Sequence, residues 1–229
     1  MKKSIILILV SFWAHLGNCQ NTITVQHKYY TLEYDTVLKS PLISWYIQTT
    51  AHATSQVKID RKTVASFHQD PLISEKYQVA NDKQYSTYNA VHKSDSLRKD
   101  KGHLSPYTAF DFDSIAARES MYYTNTAPQF SFFNEHPWER LEQYVLKTLA
   151  LANDSIIVYT GCLYGMEKMN DVPIPDYYWK VIVLHSGELT CYLAKNEITD
   201  NTDFKRYLVS PDAHKNFIHF YYPNLKIPF

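Results

Sequence analysis

A single helical periodicity set among strand-forming runs is the feature that most constrains this chain. Between residues 134 and 152, Trp138, Leu141, Val145, Leu149 and Ala152 recur at helical spacing. Pro137 falls where a first helical turn tolerates it, because its missing N–H has no partner to lose. The flanking apolar pattern is that of strands. Residues 29–50 mix β-branched and aromatic side chains and predict two strands around a turn near Lys39-Ser40-Pro41. Residues 155–160 and 178–185 predict two more. Ser186-Gly187-Glu188 turns the second of these into residues 189–194, a hairpin. Residues 55–98 are polar, with breakers at Pro71, Asn81 and Asp82, and read mainly as loop. The sum is an α+β single domain with a mostly antiparallel sheet.

Composition narrows the function. Hydrophobic residues make up 45% and charged residues 20%, which excludes a disordered chain. With 5 glycines in 229 residues, a Gly-rich phosphate loop is not expected. Basic and acidic residues balance at 23 each, so no basic footprint covers the whole chain. Lys2 and Lys3 precede an apolar run over residues 5–13, followed by Gly17, Asn18 and Cys19. That order predicts a signal peptide over residues 1–19, cleaved near Cys19–Gln20, and a secreted or periplasmic domain over residues 20–229. Losing Lys2 and Lys3 leaves the mature chain two charges on the acidic side. The competing reading takes Leu16-Gly17-Asn18-Cys19 as a lipobox with Cys19 as lipid carrier, although Asn18 stands where a small residue is usual. In an oxidising compartment, Cys162 and Cys191 form one disulfide or remain two small buried thiols. No C-x-x-C and no H-E-x-x-H occurs, so a zinc site is not expected.

The chemistry concentrates between residues 99 and 142. Asp100-Lys101-Gly102-His103 leads into a Pro-bounded turn, which puts His103 at a strand end. Asn134 stands at a helix start. Glu142 follows eight residues later, about 80° around the helix, so both side chains lean to one side. A neutral His that accepts a proton, an amide oxygen and a carboxylate suit a hard cation and a phosphate substrate. Each residue taken alone has a plainer role. A lone His is usually structural, Asn134 is a helix cap, Glu142 is a solvated helix face, and Asn125 before Ala-Pro is a turn residue.

Together, D-K-G-H-L-x-P at Asp100, then N-x-A-P-Q at Asn125, then N-x-x-x-W-x-x-L-E at Asn134 resemble the DNA/RNA non-specific endonuclease family, which includes secreted bacterial nucleases and mitochondrial endonuclease G. Arg61 with Phe67-His68-Gln69-Asp70-Pro71 resembles its R…F-x-x-D-P segment. Gly161-Cys162-Leu163-Tyr164 resembles G-P-L-Y, and Ile174-Pro175-x-x-Tyr178-Trp179-Lys180-Val181 resembles I-P-x-x-Y-W-K-V.

The resemblance implies a ββα-metal (His-Me finger) nuclease core and cleavage of DNA and RNA with little sequence specificity. It implies His103 as general base and Asn134 as the one direct protein ligand of Mg2+, with Mn2+ as the alternative ion. Glu142 would hold water beside the ion, Arg61 would stabilise the charged transition state, and Asn125 and Asp100 would be supporting residues of the motifs. Lys101 stands where the family has Arg, which keeps the cation and loses the bidentate fork. His136 departs from the family pattern and reads as a loop histidine. The alternatives are a weak or inactive nucleic-acid-binding relative and a phosphodiesterase for small substrates. The sequence identifies no inhibitor protein.

Overall fold

The computed structural model describes residues 21–64, 66–223 and 225. The signal peptide expected over residues 1–19, with Cys19, therefore lies outside the described residues. The larger layer is a seven-stranded sheet, antiparallel throughout, formed by β1 (Thr22–Gln26), β2 (Tyr30–Asp35), β3 (Ser40–Thr49), β6 (Ser155–Met169), β7 (Val172–Val183), β8 (Leu189–Lys195) and β9 (Leu208–Val209) in that spatial order. The smaller layer is a hairpin, β4 (Lys99–His103) with β5 (Thr126–Phe130). β5 runs straight into the long helix α4, residues 131–153. Shorter helices α1 (Thr50–Ala53), α2 (Lys83–Val91) and α3 (Ser114–Ser120) and the terminal α5 (Pro211–Tyr221) complete the fold. Alternation along β6 and β7 sends Val158, Cys162, Tyr178 and Ile182 to the face where Trp138 of α4 packs on Tyr178, and Leu163, Trp179 and Val181 to the opposite face; all are buried, as are Leu141 and Val145 of α4.

The ββα unit is bolted to the sheet by polar as well as apolar contacts. Tyr178 Oη donates to the Ala127 carbonyl at 2.9 Å. The Asn196 amide donates to the Pro128 carbonyl at 3.0 Å and the Pro175 carbonyl at 2.9 Å, joining β5 to β7. Phe133, Trp138 and Tyr178 form a ring cluster with centroids 5.6 to 6.1 Å apart. Losing a buried ring of that size typically costs about 3–5 kcal/mol.

Several sequence expectations are refined. The β2–β3 turn comes one step earlier than Ser40-Pro41, which already belong to β3. The Asp35 carboxylate accepts from the Val37 and Leu38 amides, and Lys39 takes a left-handed φ of 54° to close the turn. The helix extends slightly beyond 134–152 and contains two wider, π-type stretches, Asn134–Trp138 around Pro137 and Val145–Leu149. It stops where Asp154 adopts φ 61°. Residues 55–98 are mostly irregular, as expected, but they contain α2. Cys162 and Cys191 are buried free thiols. They lie on β6 and β8 with β7 between them, two strand spacings apart, too far to bridge.

The α5 helix buries His214 against Trp179, ring centroids 5.2 Å apart. Burial pushes its imidazole down to about 4. The unfolded chain therefore takes up a proton near pH 6.5 that the folded chain refuses until about pH 4. Stability should fall across that window, by at most about 3 kcal/mol from this residue. His214→Phe is expected to flatten that part of a stability–pH curve measured by urea unfolding. An unchanged acid slope would assign the loss elsewhere.

Candidate active site

The site is built outward from β4. Gly102 is required there because a Cβ at this position would collide with the Gln129 side chain on β5. The close approach lets the strand end with His103 projecting past the hairpin. Asn125 then fixes the chain that follows. Its Oδ1 accepts from the Ser105 amide at 3.0 Å, and its Nδ2 donates to the carbonyls of Ser105 and Ser120 at 2.8 and 2.9 Å. Ser105 in turn shares a 2.7 Å hydroxyl contact with Ser44 of the sheet.

The His103 ring lies 5.2 Å from Phe67, with Nε2 buried and without a hydrogen-bond partner among the described residues. Burial, reinforced by the positive charges of Arg61 and Lys101, pushes the imidazole down to about 3. It is therefore a neutral, unencumbered proton acceptor at physiological pH.

Asn134 sits in the first turns of α4. Asp100 on β4 accepts from its Nδ2 at 3.1 Å and from Ser131 Oγ at 2.9 Å. This commits the amide nitrogen to the protein and leaves the amide oxygen for the cleft. Glu142, two turns further on, is pushed up to about 7 by burial, against the pull of the buried Lys180 ammonium. Lys180 on β7 donates to Thr160 Oγ1 at 2.7 Å, and burial lowers it to about 8. Arg61 opens a short turn, Arg61–Thr63, in which the Asp60 carboxylate accepts from the Lys62 amide at 2.9 Å. Its guanidinium carbon lies 5.7 Å from the Phe67 ring and 5.8 Å from the Tyr107 ring. Tyr107 anchors the same segment by donating to the Ile59 carbonyl at 2.7 Å.

His103, Arg61, Asp100, Asn134 and Glu142 all line one cleft of about 740 Å³. Asn125 does not line it and stands behind His103 as the clamp just described. Lys101 reaches the cleft wall, but its ammonium pairs with Asp82 at 3.1 Å, so its charge is partly spent there. His136 stays outside the cleft, with its ring 4.2 Å from Phe132 in a neighbouring groove.

Sequence reasoning missed the opposite wall, where Tyr85, Ser86 and Asn89 of α2 face the cleft. Asn89 exchanges two hydrogen bonds with the backbone of Lys99, at 2.9 and 3.0 Å, and so seals the free edge of β4. Lys180 enters the sequence reading only within the I-P-x-x-Y-W-K-V segment, with no role of its own. A charged residue inside the apolar run Tyr178-Trp179-Lys180-Val181 was the signal that it is buried for a reason.

The donor set fits a hard cation held by few protein atoms. Among the described residues, no group of three or more His, Cys, Asp and Glu side chains could hold a metal. What the cleft offers is one oriented amide oxygen with a carboxylate nearby. That suits Mg2+, which dehydrates reluctantly and keeps several waters.

Fold and site together define a nuclease of the ββα-metal type. The sequence model of the DNA/RNA non-specific endonuclease family matches residues 15–225, and the chain belongs to that family. It is 28% identical over 209 residues to the nuclease of Serratia marcescens, covering 86% of this chain and 73% of that one. It is 30% identical over 95 residues to a salivary endonuclease of Lutzomyia longipalpis, covering 36% of this chain and 23% of that one. Among solved structures, EndoG in its complex with EndoGI superposes with a TM-score of 0.70 at 22% identity, covering 86% of this chain and 82% of that one. The family makes the chain a nucleic-acid-cleaving hydrolase, and the superposition fixes the fold.

Proposed function

We propose that this protein is an exported, Mg2+-dependent endonuclease that hydrolyses phosphodiester bonds of DNA and RNA with little sequence specificity. The observation that carries this reading is the convergence of His103, Arg61, Asn134 and Glu142 on one cleft. His103 accepts the proton of the water that attacks phosphorus in line. Arg61, steadied between two rings, donates to the phosphate oxygens as charge builds on them. Asn134 offers its oxygen to the cation, and Glu142 holds water beside it. Mg2+ supplies the positive charge that stabilises the phosphate and the departing 3′ oxygen. Because these groups address backbone and not base edges, cleavage is largely independent of sequence. Export is supported by the Lys2-Lys3 and apolar pattern of the N-terminus. Among the described residues, no helix is long and apolar enough to cross a membrane. A protein inhibitor is a further partner in this reading, by analogy with the complex of EndoG and EndoGI.

The test is incubation of the mature protein with supercoiled plasmid, RNA and a small nitrophenyl phosphodiester, each with Mg2+ and with EDTA. Nicking of both nucleic acids only with Mg2+ is expected. Turnover of the small ester alone would favour the small-substrate phosphodiesterase, and no turnover at all would favour an inactive relative.

Salt dependence should be shallow. The cleft cations Arg61, Arg98, Lys99 and Lys101 are faced by Asp82, Asp100, Glu135, Glu139 and Glu142. Lys99 is buried with its ammonium over the Phe130 ring. With roughly two to four phosphates contacted, log K should fall against log salt with a slope of about −0.9 per contact. Duplex binding by the His103→Ala protein at fixed Mg2+ measures it. A slope equivalent to eight or so contacts would reveal a basic groove outside the cleft.

A further inference from the structure

The first turns of α4 separate two grooves. One is the catalytic cleft. The other, about 700 Å³, is lined by Phe132, His136, Ile198 and Asp200, and it shares Arg98 and Glu135 with the cleft, so the two adjoin. Residues 132 and 136 are four apart and lie on one face of the helix. Asn134, between them in sequence, lines the cleft and not this groove. A strand whose phosphate is held at Asn134 therefore meets the second groove as it crosses the helix.

The chemistry of that groove favours a base over a phosphate. Two carboxylates, Glu135 and Asp200, line it against one guanidinium, that of Arg98. The Phe132 and His136 rings pack on each other with centroids 4.2 Å apart and planes 55° apart, which offers a base one ring face and the edge of the other, and the half-exposed Ile198 extends the apolar surface. Carboxylates accept hydrogen bonds from the exocyclic amine of cytosine or adenine, whereas thymine and uracil present a carbonyl oxygen at the equivalent position. A base can reach such a shelf only when it is out of a duplex stack.

We propose that this groove seats one unpaired, amine-bearing base of the substrate strand, next to the nucleotide whose phosphate occupies the cleft. The base packs against the tilted Phe132–His136 pair, and Asp200 and Glu135 accept from its amine. The proposal rests on the nuclease reading and gives it a preference among single strands. It also gives a role to His136, which departs from the family pattern.

The test measures anisotropy of fluorescein-labelled short oligodeoxycytidylate and oligodeoxythymidylate with EDTA present, alongside their cleavage with Mg2+. The wild-type protein should bind the cytidylate about tenfold more tightly, the size of one hydrogen bond to a charged group. His136→Ala should weaken both oligonucleotides by about tenfold through lost stacking. Asp200→Asn should abolish or invert the preference, because an amide donates to thymine as readily as it accepts from cytosine. Both variants should turn over a small nitrophenyl phosphodiester within about twofold of wild type, as no base is present for stacking to act on. Asp200 is exposed on a loop, so that variant reads out even where His136→Ala is unstable. Equal binding of the two oligonucleotides by wild type, or a preference that survives Asp200→Asn, overturns the subsite. A cytidylate preference without cleavage of any nucleic acid would keep the subsite and sink the nuclease reading instead.

Discussion

Replacing His103 with alanine is expected to lower cleavage by about 10²–10⁴-fold, the usual contribution of a positioned general base. The fold should survive, because the ring is only partly buried and its Nε2 gives up no hydrogen bond. A thermal midpoint within a few degrees of wild type, together with that rate loss, is the expected pair of results. Wild-type turnover in the folded variant would remove His103 from the mechanism. The imidazole is held at about 3, so it remains a free base far into acid. The acid limb of kcat/KM should therefore not centre on the ordinary histidine value near 6.5. A limb there that vanishes in His103→Ala would show that burial and the neighbouring cations lower the ring's proton affinity less than their placement implies.

The second large effect should follow from Asn134. Asn134→Ala removes the oriented amide oxygen and should raise the Mg2+ concentration needed for half-maximal rate by about 10–100-fold or more, with little change in stability. Asn134→Asp is the sharper probe. It keeps an oxygen for the cation but sets a second carboxylate where the amide nitrogen now donates to Asp100 at 3.1 Å. Two like charges at that range raise the affinity of one for a proton. The aspartate variant should therefore recover activity towards alkaline pH, whereas the alanine variant should not. Identical Mg2+ titrations for wild type and Asn134→Ala would reduce Asn134 to a helix residue.

The parts of the fold legible in the sequence were those where local pattern and tertiary packing agree. The run Tyr178-Trp179-Lys180-Val181-Ile182-Val183 can hardly be anything but a central strand, and the Trp138 to Leu149 spacing shows the buried face of α4 directly. What stayed hidden depends on distant partners. The α2 sequence, Lys83 to Val91, has no apolar stripe, and Tyr85 is its only buried residue. It is held by Asn89 clasping the backbone of Lys99, a contact between residues that only the fold brings together. β1 buries only Val25 and lies at the sheet edge, so it carries little alternation to read.

The site shows the same division. Motif order brought His103, Asn134 and Glu142 into view because one stretch of chain carries all three. The pairing of Lys101 with Asp82 and the burial of Lys180 beneath Glu142 required the three-dimensional arrangement. Asn125, legible as part of a motif, shapes the site from behind and does not face the substrate space.

The continuity of β4, β5 and α4 has a consequence for how such a protein changes over generations. Base, amide and carboxylate travel together in residues 99–153, and Arg61 alone comes from elsewhere among the proposed reacting groups. Insertions or deletions in the surrounding loops, including the stretch that carries α2, can reshape what enters the cleft while the spacing of the reacting groups stays as it is. A lineage can thus change its substrates by editing the vestibule, while the proposed base, amide and carboxylate pass on together within residues 99–153.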